Sequence, residues 1–133
     1  MRSLAARLGS ERGEALIDGL LALMLVLLVV VLGAQALAYA HARSVAEAAA
    51  EDGAREAATG GAAAGVDRAT AVLAAAGGAG SQLRATASES GDLVRVSVDG
   101  NAPRLFAVSL LLPAVHASAS LPLERYPTSE AAP

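Results

Sequence analysis

From Gly19 to Ala40 the chain has no charged side chain, and only Gln35 and Tyr39 interrupt the apolar run. As an α-helix this run covers about 33 Å at 1.5 Å per residue. A bilayer's hydrocarbon core is about 30 Å thick. A buried helix of a soluble protein seldom continues this far without a polar face. The pattern therefore predicts a transmembrane helix over 14–40, entered past two acids, Glu14 and Asp18. A short basic leader, 1–13, precedes it and carries Arg2, Arg7 and Arg12 against Glu11.

The period stays helical beyond the apolar run. "HARSVAEAAAEDGAREAA" (41–58) contains strong helix formers and no proline. Arg43–Glu47 and Glu51–Arg55 stand at i,i+4 spacing. Ala46, Ala49, Ala50, Gly53 and Ala57 line the other side as a smooth packing face. Gly60 and Gly61 are expected to end this helix, which would run from about residue 14 to 58. A second, shorter helix fits 66–76, with Val66, Ala69, Val72, Leu73 and Ala76 in one stripe and Gly77, Gly78 and Gly80 closing it.

The period then changes to two. Leu83, Ala85 and Ala87 alternate with Arg84, Thr86 and Ser88. Past "ESGD", Val94, Val96 and Val98 alternate with Arg95, Ser97 and Asp99. Val115, Ala117, Ala119, Leu121 and Leu123 alternate with His116, Ser118 and Ser120. These are strands with one apolar face. Three short strands are marginal alone, so they need the small-residue helix face and the second helix beneath them. Segment 104–112 is apolar and fits either helix or extended chain, and 127–133 is expected to be a disordered tail. The expected fold is a membrane-anchored α+β chain, with a long N-terminal helix, a short second helix and a small antiparallel three-stranded sheet. Residues 41–126 form the expected domain beyond the span.

Composition narrows the chemistry. Hydrophobic residues make up 54% of the 133 residues but aromatics only 2%, so alanine, glycine, leucine and valine must do the packing. There is no cysteine, which excludes disulfides, thiol catalysis and cysteine–zinc sites. All basic residues are arginine, net charge is -3, and no basic stripe offers a footprint for nucleic acid. No lysine is present for a P-loop, and the glycines at 60, 61, 65, 77, 78 and 80 suit helix ends rather than a phosphate cradle. His41 and His116 lie far apart without an acidic triplet, and Ser88, Ser90, Ser118 and Ser120 show no His–Asp pattern for nucleophilic catalysis. The expectation is a protein that is not an enzyme and uses no cofactor or metal. Glu47, Glu51, Asp52 and Glu56 form a charged helix face, read either as solvated or as a contact for a partner helix.

Three arginines before the span and a mixed-charge segment after it predict a cytoplasmic N-terminus and an extracytoplasmic C-terminal domain. "AQALAYAHA" (34–42) also contains small-residue A-x-A patterns. Signal-peptide cleavage near 38–42 would instead release a soluble binding or adhesion module.

The leader ends in Gly13, followed by Glu14, with Asp18 as the fifth residue beyond the glycine. This resembles the processing site of type IV pilins, with Asp18 where glutamate is usual and Gly19 where phenylalanine is usual. The stretch 12–56, with Tyr-Ala-His closing the span and "AAAEDGAR" in the following helix, is similar to TadE-like proteins of the tight-adherence (Flp) pilus system. "LVRVSV" (93–98) and "VHASASLPLER" (115–125) extend the likeness over roughly residues 12 to 125. The resemblance implies a minor pilin-like or pseudopilin component of a pilus-assembly or related secretion apparatus, single-pass in the bacterial cytoplasmic membrane. It implies as partners other pilins or Tad-system membrane proteins, a secretion ATPase and a prepilin peptidase, together with self-association. Under it, cleavage after Gly13 would free the amine of Glu14 to pair with Asp18 of a neighbouring subunit. The alternative is that Asp18 sits at the headgroup boundary and complements the helix N-terminal dipole.

Overall fold

The computed structural model describes residues 2–105 and 112–124, with side chains from residue 13 onward. The middle of segment 104–112 and the tail 127–133 lie outside the described residues. The chain divides into two compact units, Met1–Ala36 and Leu37–Pro133.

Helix α1 spans Arg2–Ala75 and is interrupted at one residue, Gly61, whose φ of 84° and ψ of 171° lie where only glycine is at ease. The helix therefore includes the leader backbone. It does not stop for a loop after residue 58, as the paired glycines suggested. A single residue reverses the direction, and the second limb, 62–75, starts earlier than expected. Positions equidistant from Gly61 meet across this hairpin. A Cβ placed on Gly53 would lie 2.9 Å from the Cβ of Ala69, and one on Gly65 would lie 2.5 Å from that of Ala57. Both glycines are required here by close backbone approach. A 3-10 turn, Gly77–Ala79, then leads into the sheet.

Strands β1 (Leu83–Ser90), β2 (Leu93–Gly100) and β3 (Val115–Pro122) form an antiparallel meander in the order β1-β2-β3. The register places Ala85 opposite Val98 and Ala87 opposite Val96, then Val96 opposite Ala119 and Val98 opposite Ala117. The alternating apolar positions thus share one face, as period two requires. That face closes over α1. Ala42, Ala46, Ala49, Ala54 and Ala57 are fully buried, as is Ala69 from the second limb, and Leu73 beside it is buried. Val94, Val96, Val98 and Val115 are the largest fully buried side chains. Alanine leaves the helix surface nearly flat, so β2 can approach closely and its valines supply most of the buried apolar bulk.

Polar contacts also link the elements. The backbone N–H of Glu124 donates to the carbonyl of Ala58 at 3.0 Å, tying the chain after β3 to the end of the first limb. The Glu89 carboxylate accepts the backbone N–H of Ala62 at 3.0 Å. Glu89 occupies the inner-face phase of β1, opposite Val94, yet it reaches past the core to the first N–H after the Gly61 break. An acid there offsets an orphan donor and the positive end of the second limb.

Candidate functional site

Three groups of residues have candidate roles, and the structure treats them differently. The first is the mouth of the apolar run. Gly13, Glu14 and Asp18 all lie within α1, and both acids are exposed. Four residues apart, Glu14 and Asp18 stand on the same side of the helix. A Cβ on Gly13 would have no atom within 4 Å. From Leu16 to Val30 the large apolar side chains point outward on every side, between 49% exposed at Leu28 and 75% at Leu16. α1 is long and apolar enough to cross a membrane.

The second group is the small-residue face. Ala46, Ala49, Ala50, Gly53 and Ala57 are buried against the chain's own sheet and second limb. The face is thus covered within the chain, by the strands expected to need a small-residue helix surface beneath them. The physical reason is the register of β2. Its valines need a flat partner, and the alanine stripe is the flat surface within reach.

The third group is charged. Arg43 Nε donates to Glu47 Oε1 at 2.9 Å, and Arg55 lies 3.6 Å from Glu51 and 3.2 Å from Asp52. The hydrogen bond to Glu47, followed by the nearby charge of Glu47 and Tyr39, holds the Arg43 guanidinium above its ordinary value. Asp52 also binds Arg68 of the second limb at 3.1 Å. That pair bridges the hairpin, so part of the acidic face is structural. All these pairs stand largely in solvent, where water screens an ion pair and it contributes little to stability. Around the A-x-A positions, α1 runs unbroken through 38–42 and Ala42 is fully buried.

His116 and Asp99 are brought together where spacing in the sequence offered no partner. They are register partners across β3 and β2 on the outer face, and His116 Nδ1 hydrogen-bonds Asp99 Oδ1. The shared polar phase of the two strands, combined with a meander register, was the signal that pairs them. The carboxylate orients the imidazole, but both side chains stand mostly in solvent. His41 is exposed on α1. Among the described residues, no cluster of three His, Asp or Glu side chains could hold a metal ion.

No protein-family model, curated protein or solved structure matches the chain.

Proposed function

We propose that the chain is a single-pass, membrane-anchored pilin-like subunit that takes part in assembling or anchoring a Flp-type pilus or a related secretion apparatus. It acts by packing. The observation that carries this is the apolar surface of residues 16–30, exposed on all sides of α1. In water such a surface is unfavourable at about 25 cal/mol per Å², whereas lipid or the helices of other subunits would cover it. The antiparallel sheet on the continuing helix, the acids at Glu14 and Asp18 and the TadE-like features of 12–56 support the same conclusion. On this proposal the basic leader stays cytoplasmic and the sheet lies outside the membrane. The partners are other pilins or Tad-system membrane proteins and a prepilin peptidase acting after Gly13. Because the alanine face is covered within the chain, contacts between subunits fall to the apolar stretch and to Asp18. An acid in an apolar environment is costly unless paired.

The test is the mature N-terminus of membrane-purified protein, with piliation scored in an Asp18→Ala strain. The expected results are a chain beginning at Glu14 and a loss of pili while the variant still fractionates with membranes. A chain beginning between 39 and 43 in the soluble fraction would instead identify a secreted module.

A further inference from the structure

The outer face of the sheet carries rows of polar side chains. Asp99 lies between Arg84 and His116 in one row. Arg43, Arg55 and Arg68 have carboxylate partners on α1. Arg95 differs. It projects from the central strand, and its register partners on both sides are serines, Ser88 on β1 and Ser120 on β3. Among the described residues it makes no ion pair. Ser88, Ser90, Arg95 and Ser120 line a concavity of about 370 Å³, with Leu93 as an apolar lip.

We propose that this concavity is a binding site for a phosphate ester. A guanidinium presents a planar fork of donors that matches two oxygens of a phosphate, and hydroxyls that rotate freely can donate to the others. Among the described residues, no carboxylate lines the concavity to repel an anion. Adjacent strands are about 4.8 Å apart, so the row Ser88–Arg95–Ser120 spans about 10 Å, enough to flank one phosphate group. A bare sugar suits the site less well, because among the described residues no aromatic side chain lines it for a ring to stack on.

Position favours a soluble source over a lipid headgroup. The concavity lies at the end of the sheet where Leu123 bonds Asp92 and Glu124 bonds Ala58. Ala58 is about 32 Å along α1 from Leu37, where this unit begins. The ligand is thus a phosphate ester free in the surrounding medium or carried on a soluble polymer.

The test uses the full chain in detergent micelles, labelled for NMR, with inorganic phosphate and glycerol phosphate as soluble probes. A second arm uses nanodiscs with and without phosphatidylglycerol. Saturable shifts are expected at Ser88, Ser90, Arg95 and Ser120 with the soluble probes. Binding should weaken about tenfold or more in Arg95→Gln, the loss of one hydrogen bond to a charged group, and should be unchanged in Arg84→Gln. The double variant Ser88→Ala/Ser120→Ala should weaken it while the rest of the spectrum stays native. Shifts that never saturate, equal binding in the two arginine variants, or shifts that occur only with phosphatidylglycerol would overturn the proposal.

Discussion

Two residues show how much a single side chain decides here. Gly65 lies in a helix, where replacing glycine with alanine ordinarily stabilises by up to about 1 kcal/mol. At this position the added Cβ would lie 2.7 Å from the Gly53 carbonyl oxygen and 2.5 Å from the Ala57 Cβ, neither of which can swing aside. Overpacking of this kind costs about 1–3 kcal/mol, so Gly65→Ala should lower the thermal midpoint of the detergent-solubilised protein. Gly33→Ala, with nothing within 4 Å of the new Cβ, should not. Glu89 is the second case. Glu89→Ala removes the acceptor for the Ala62 N–H and should cost about 1 kcal/mol, as loss of a helix cap does. Faster amide exchange at the start of the second limb should accompany it, while Glu89→Gln, which keeps an acceptor, should be milder.

At the scale of elements, the first limb, second limb and sheet depend on one another. The second limb is too short to be stable alone in water. It holds because Ala69 and Leu73 are buried and because Gly61 reverses the chain without a loop. Gly61→Ala forces a β-carbon into a conformation with φ of 84° and should cost about 1–3 kcal/mol. The sheet depends on the valines of β2. Val96→Ala removes two fully buried methyl groups and should destabilise by about 2 kcal/mol, read as a shift in the denaturant midpoint. The strands were plain in the sequence because their alternation is unbroken. The hairpin was less plain. The two glycines at 60 and 61 announced a break, but which one carries it, and how little chain it consumes, follows from the fit of Gly53 against Ala69 and Gly65 against Ala57.

For the whole molecule, the prediction concerns where the protein resides. An arginine at the centre of a transmembrane helix costs about 2.5–3.5 kcal/mol on the insertion scale. Leu23→Arg combined with Leu27→Arg should therefore shift the protein out of the carbonate-resistant membrane fraction. The same pair of changes on the exposed face of the second unit, such as Thr86→Arg with Ser97→Arg, should leave fractionation unchanged. Equal behaviour of the two double variants would remove the membrane anchor from the account.

The sequence alone determined the apolar run, the helical continuation and the three strands with their inner faces. These follow from local periodicity, which needs no knowledge of what lies opposite. It also placed Arg43 beside Glu47 and Glu51 beside Arg55, since helical spacing brings such pairs together. Only the tertiary structure decided that Asp52 reaches Arg68, that Glu89 caps the second limb, and that His116 meets Asp99 while Arg95 is left among serines. Each of these depends on strand register or on the crossing of two helix limbs. Both join residues distant in sequence, and neither leaves a mark in the pattern of any one segment.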